Sequence, residues 1–194
     1  MAFWGNDLGD KGIRDPKRKF RFKVTITGFA ENGTTKDSLV WYAKTVTKPT
    51  INIGADTAHK YLGHTFKFPG SVTWDDIELT LVDPGGDDDD AAEKLLAIIQ
   101  GSGYKFPKET TSLETISKAK STTSLGSVVI SQLDATGEYA VERWTLHNPF
   151  INKVSFNDLS YEDDGLSEIN LGITFDWAEF SKGGPGVDDS KFFE

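Results

Sequence analysis

The sequence contains no cysteine, three histidines and one methionine among 194 residues. The missing cysteine removes disulfides, thiolate zinc sites and cysteine nucleophiles, so stability has to come from the core and from assembly. Scarce histidine confines imidazole chemistry to His59, His64 and His147. No run approaches the roughly 18 consecutive apolar residues of a membrane helix. The opening MAFWGNDLGDKG carries no apolar signal-peptide core. These two omissions lead to the expectation of a soluble protein folded in a cytoplasm, with no membrane-spanning segment. Positive charge is also short: 21 Lys and Arg stand against 30 Asp and Glu, a formal net charge of −9. Affinity for nucleic acid rests largely on cationic contacts to phosphate, so such a surface on average repels a polyanion.

What the chain does have is aromatic and glycine content: 13 Phe, 5 Trp and 19 Gly. That combination suits a β-rich protein whose aromatics fill the core and whose glycines turn the corners. The one basic stretch, KRKFRFK at 17–23, interleaves with Phe20, Phe22, Val24 and Ile26 at period two. It reads as a strand with a basic outward face rather than a nucleic-acid patch.

Residues 1–19 show no periodicity and read as an arm; 20–180 form one β domain, and 181–194 a loop-like tail in which Phe192-Phe193 could dock on a neighbour. The Asn32-Gly33 pair predicts a hairpin, with Leu39–Thr47 returning antiparallel to Phe20–Phe29. Residues 44–70 have little core-forming power and read as an extended hairpin protruding from the body. In the following stretch, FPGSVTWDDIELTL, Val72 and Trp74 lie on one parity and Ile77, Leu79 and Leu81 on the other. A bulge at Asp75-Asp76 would return both sets to one face.

One helix is expected over 88–100, capped by the preceding DPGGDDDD, with Ala92, Leu95, Leu96 and Ile99 inward. Residues 101–124 are polar and read as an external loop with at most one helical turn. Ser127–Leu133 and Tyr139–Leu146 form a hairpin about Asp134–Gly137. Val154, Phe156 and Tyr161 make a further strand or extended edge, and Asp164-Gly165 turns the chain into a last strand. There Ile169, Leu171, Ile173, Phe175 and Trp177 alternate inward against Glu168, Asn170, Gly172, Thr174 and Asp176.

Enzyme chemistry finds no footing. His59 and His64 sit five apart in a glycine-containing loop near Asp56, with no helical register to make ligands converge. The YEDDGLSE stretch fails a calcium loop, because fixing Gly165 at the sixth place puts Ser160 first and Leu171 twelfth. Asp75 and Asp76 are neighbours on a strand, poorly placed to act on one atom. No catalytic residue, metal or cofactor is expected.

Three stretches together carry a resemblance: YAKTVTKPTINI (42–53), HTFKFPGSVTWDDIELTLVDP (64–84) and WTLHNPFINKVSFNDLSYEDDGLSEINLGITFDWAEF (144–180). Over most of 18–180 the chain resembles the major tail-tube proteins of contractile-tailed bacteriophages, related in fold to type VI secretion tube proteins. The resemblance implies a mainly β fold, an antiparallel sandwich or small barrel with one α-helix and a long protruding hairpin. It further implies hexameric rings stacked into the inner tail tube of a virion assembled in the host cytoplasm. Sheath would surround the tube, a tape-measure protein fill it, baseplate proteins start it, and DNA pass through without specific binding.

Under that resemblance the ring-stacking residues are Pro49, Ile51, Ile53, His59, Tyr61, His64, Phe66 and Phe68. Asp75 and Asp76 mark the bend that aims the hairpin, and Glu168, Asn170 and Asp176 are candidates to face the lumen. The rivals are a baseplate initiator of the same fold, a type VI-like tube protein and a monomeric β-sandwich binding module.

Overall fold

Successive side chains in a strand point to opposite faces, and most of this chain uses that period to bury one face. The structure is a computed structural model that describes residues 17–29, 43–54, 57–84, 90–106, 115–137, 139–162 and 164–183. Two four-stranded antiparallel sheets form the body. The first, in the order β1-β8-β9-β12, contains β1 (Phe22–Ile26), β8 (Val128–Leu133), β9 (Ala140–His147) and β12 (Trp177–Lys182). The second, in the order β10-β11-β7-β2, contains β10 (Phe150–Phe156), β11 (Glu168–Thr174), β7 (Ile77–Val82) and β2 (Ala43–Val46). The architecture is mainly β and antiparallel, as the composition suggests.

The inward parity of both sheets builds one core. Val24, Ile26, Val128, Ile130, Leu146 and Ala178 come from the first sheet, and Ile77, Leu79, Leu81, Ile169, Leu171 and Ile173 from the second. Each fully buried Ile or Leu contributes about 1.5–3 kcal/mol relative to exposure. Helix α1 (Ala91–Gly101) adds Ala91, Leu95 and Ile98 to that core. Its N-cap is Asp90, whose carboxylate accepts from the backbone N–H of Ala92 and Glu93, two of the donors a helix start leaves without partners.

Several expectations need correction. The helix starts at Ala91, not 88, and faces inward with Ala91, Leu95 and Ile98; Leu96 is exposed. A second helix, α2 (Lys118–Leu125), occupies part of the expected loop. Its sequence KAKSTTSL shows almost no apolar periodicity. Ser117 caps it, and Leu125, 1% exposed, anchors it in the core. It lies over Gly28, where the Ser124 and Leu125 carbonyls come so close that a Cβ would meet oxygen at 2.3 Å.

Strands β1 and β2 do not form a hairpin: β1 pairs with β8 and β2 with β7, in different sheets. The Asn32-Gly33 turn itself lies outside the described residues. Long-range pairing of apolar faces overrides that local signal. The stretch 72–82 is not one bulged strand either. It breaks into β6 (Val72–Trp74) and β7, with Val72 exposed and Trp74 half-buried against Phe175.

The last strand also breaks. Ile169, Leu171, Ile173 and Phe175 are buried as expected, but Trp177 is 48% exposed. At Phe175-Asp176 the chain crosses from the second sheet to the first, and the parity resets so that Ala178 faces inward. Lys23, expected on a basic outward face, is buried, and that burial lowers its ammonium pKa. Tyr161 belongs to no strand. The arm over residues 1–16 and the tail over 184–194 lie outside the described residues.

Candidate assembly surfaces

Between β2 and β7 the chain leaves the body as two ribbons in series. β3 (Ile51–Ile53) pairs with β6, and β4 (Thr57–Tyr61) pairs with β5 (His64–Phe68). At the far turn Leu62 and Gly63 both have positive φ, 46° and 80°. That is the two-residue geometry whose twist matches a hairpin, and Gly63 adopts it without Cβ strain. Gly54 and Gly70 close the join between the ribbons by a backbone hydrogen bond.

The register sorts the side chains of the outer ribbon. His59 lies opposite Phe66 and Tyr61 opposite His64, while Thr57 lies opposite Phe68. Residues directly opposite in an antiparallel pair share a face, so His59, Tyr61, His64, Phe66 and Phe68 form one aromatic face. His59 and Phe68 meet edge to face at 5.9 Å between ring centroids. The other face carries Ala58, Lys60, Thr65 and Lys67. Ile51 and Ile53 lie opposite Trp74 and Val72 in the inner ribbon, and Pro49 sits in the link before it. Tyr61, Leu62, Phe66, Phe68, Ile51 and Ile53 are all exposed, Leu62 to 81%.

At the root, Asp75 and Asp76 lie in the break between β6 and β7. Asn52 Nδ2 donates to Asp75 Oδ1 at 2.6 Å, within the inner ribbon. Asn152 Nδ2 donates to Asp76 Oδ2 at 2.6 Å and reaches Thr174 Oγ1 at 2.8 Å, on the second sheet. Asn152 can span both because the β10 register shifts between Ile151 and Lys153. The two carboxylates therefore serve different partners, one on each side of the strand break. Sequence reading found the acids but not Asn152, which carried no signal beyond its type.

A second clamp escaped sequence reading altogether. Glu142, only 8% exposed at its side chain, pairs with both Lys17 and Lys48. Lys48 Nζ also donates to Gln132 Oε1 at 2.6 Å. Burial alone raises a carboxyl pKa, but the Lys17 and Lys48 hydrogen bonds outweigh it and hold Glu142 below its ordinary value. One residue thus ties the N-terminal segment and the base of the ribbons to the first sheet. The available signal was parity, since Glu142 shares the inward phase of Trp144 and Leu146.

The three residues expected to face a lumen are not brought together. Glu168 and Asn170 share the outward face of β11. There Glu168 pairs with Lys44, and Asn170 meets Thr80 Oγ1 at 2.9 Å. Asp176 lies beyond that strand, in the crossing between sheets. It accepts from Lys118 at 2.6 Å and Asn148 at 2.8 Å, and these hydrogen bonds lower its pKa. It pins α2 to the body. His147 stacks on Trp177, rings 4.7 Å apart and 10° from parallel, on the outer face of the first sheet. Among the described residues no group of three or more His, Asp or Glu could hold a metal ion. Among the same residues no helix is long and apolar enough to cross a membrane.

No family model matches the sequence, and no curated protein matches it. Solved structures do match in fold. The tube-terminating cap of the anti-feeding prophage superposes with a TM-score of 0.63 at 16% identity, over 94% of this chain and 99% of the cap. The sheath/tube terminator of an extracellular contractile injection system gives 0.60 at 16% identity, over 88% and 99%. A chain of the sheath–tube complex of such a system gives 0.57 at 15%, over 86% and 92%. The fold is therefore that of the tail-tube-like proteins of contractile injection machines.

Proposed function

We propose that this chain is a structural protein of a contractile tail or injection machine, not an enzyme. In this reading it assembles into hexameric rings that stack as the inner tube. The observation that carries the reading is the pair of projecting ribbons with an exposed aromatic and aliphatic face. A two-stranded hairpin is at best marginally stable alone in water, and an exposed apolar patch of this kind marks an interaction surface. The named residues Ile51, Ile53, His59, Tyr61, His64, Phe66 and Phe68, with Pro49 at the root, are its stacking contacts. Asp75 and Asp76 aim the ribbons.

A tube built from one chain needs two different, complementary surfaces on each copy, because head-to-tail contacts are heterologous. Open strands β1, β12, β10 and β2 at the sheet edges supply lateral contacts within a ring, and pairing them removes an aggregation hazard. The tube passes a phage genome without holding it, consistent with the net charge of −9. Glu168 and Asn170, on the polar face of β11, remain its lumen candidates. Sheath, tape-measure and baseplate proteins are the partners, and the virion tail is the site of action.

A second reading is a ring at one end of the tube, a cap or a baseplate initiator. The near-complete overlap with a tube-terminating cap supports it. Negative-stain electron microscopy of the purified chain at high concentration tests both. Hollow rods of open-ended length support the tube protein; single six-fold rings support the end component; a dispersed monomer at every concentration refutes self-assembly. Deleting residues 54–70 should leave the body folded and abolish rods. Normal rods from that variant would refute the role given to the ribbons.

A further inference from the structure

The register of the second sheet fixes where its two exposed ends lie. The ribbons leave at Val46 and Ile77, beside Ile173 in β11. At the other end of the same strands, Glu168 pairs opposite Val82 and Phe156 opposite Ile169. The connection from 157 to 167 therefore emerges at the end of the sheet remote from the ribbons. It borders a recess of about 650 Å³ lined by Leu159, Tyr161 and Leu166 together with Asp158, and by Lys44, which pairs with Glu168. Leu159, Tyr161 and Leu166 are as exposed as the ribbon tip, Leu159 to 89%. A chain that buries its core aliphatics to a few per cent has thus left apolar side chains bare at both ends of one sheet.

The two ends differ in charge. Described residues 57–68 carry Lys60 and Lys67 and no acid, whereas 157–162 and 164–168 carry four acids; Lys44 of the recess lining takes up Glu168, which leaves Asp158, Glu162 and Asp164. Lys60, Lys67, Asp158, Glu162 and Asp164 are all exposed. We propose that this recess receives the tip of the β4–β5 ribbon from a second copy of the chain. Tyr61 and Leu62 of one copy pack on Leu159 and Leu166 of the next, and Lys60 and Lys67 face the acids around the recess. A flat apolar contact alone would not choose an orientation. The opposite charges do, since like-charged ends placed together would repel. This inference rests on the ring-stacking reading and names the surface on which the ribbon lands.

The absence of cysteine gives a clean test. Leu62→Cys and Leu159→Cys chains are made separately, mixed under assembly conditions and oxidised. The expected result is a disulfide-linked dimer that needs both variants and does not form from either alone. Charge reversal supplies the second readout. Lys60→Glu with Lys67→Glu, or Asp158→Lys with Glu162→Lys, should each reduce rod length at least several-fold. Combining all four in one chain should restore it. Every altered side chain is exposed, so circular dichroism should be unchanged throughout. Rods that form normally without the mixed disulfide, or that ignore both charge reversals, overturn the recess while leaving stacked rings intact. Disulfides of Leu62→Cys chains with themselves mean tip-to-tip contact and overturn it too. A wild-type chain that never assembles removes the ring reading and this inference together.

Discussion

Glu142→Gln tests the clamp at the root of the ribbons. The substitution preserves shape and removes the charge shared by Lys17 and Lys48. A hydrogen bond to a charged group is worth about 1.5–3 kcal/mol. Here the lysine side chains are about half exposed, 46% and 48%, so water recovers much of their hydration and discounts each bond. We expect a loss of roughly 2 kcal/mol, below the roughly 3–6 kcal/mol that two such bonds would give without that discount. For a domain of this size that is a fall in Tm of about 4–8 °C. The assay is thermal unfolding by circular dichroism at a concentration where the chain is monomeric.

The sign of the pH dependence follows from the depressed pKa of Glu142. Its contribution is fully present above the ordinary value of 4.5 and is lost as pH falls through the lower folded value. Wild type and Glu142→Gln should therefore differ at pH 7 and converge in acid. Lys48→Met should cost less than Glu142→Gln, because Lys17 still serves the carboxylate. The double variant should fall short of the sum of the two, as expected for residues in contact. Equal melting of wild type and Glu142→Gln at pH 7, or a gap that persists unchanged in acid, would show that the clamp carries no stability.

Two further substitutions probe the fold. Ile173→Asp puts a carboxylate in the core, where Ile173 is 1% exposed, and should prevent folding; Trp177→Asp, on the outer face, should lose only the His147 stack and fold with a small drop in Tm. A native, unshifted Ile173→Asp or an unfolded Trp177→Asp would show that the crossing at Phe175-Asp176 is wrongly placed. Gly28→Ala drives a Cβ into the Ser124 and Leu125 carbonyls and should cost at least about 1–3 kcal/mol by overpacking, read as a shifted denaturant midpoint; wild-type stability would refute the close approach of α2.

Legibility in the sequence followed the range of the interactions. Ile169, Leu171, Ile173 and Phe175 could be read because a strand buried on one face writes its period into neighbouring residues. Trp177 continued that period on paper, yet the chain changes sheets two residues earlier, an event set by where the sandwich turns its corner. The projecting segment was legible from the little core-forming power of residues 44–70, though its division into two ribbons was not. Their root was half legible, since Asp75 and Asp76 drew notice as an interruption of the strand period but their partners Asn52 and Asn152 lie 23 and 76 residues away. Helix α2 was hidden because Ser117, a single cap, and Leu125, a single anchor, hold a polar segment whose own periodicity says nothing. Asn32-Gly33 misled in the opposite way, a strong local turn signal between strands that take partners in different sheets.

The distribution of charge bears on assembly more than its total does. With 21 basic against 30 acidic residues, copies of this chain repel one another at long range. That repulsion opposes indiscriminate association of the exposed aromatic faces, which otherwise would stack on each other tip to tip. In the proposed head-to-tail contact it would be relieved locally, where Lys60 and Lys67 of one copy approach Asp158, Glu162 and Asp164 of another. That orientation places a ribbon at one end of a sheet against the recess at the opposite end. Added salt shortens the Debye length to about 8 Å near physiological strength and about 3 Å at 1 M. It therefore weakens the general repulsion and the oriented attraction together, while leaving the apolar contact in place. Moderate salt should then favour open-ended head-to-tail growth, and high salt should trade it for disordered aggregation through the same aromatic residues. Under the proposed contact the acidic body and the basic ribbon would act as one device: the first suppresses wrong contacts, and the second selects the direction of the right one.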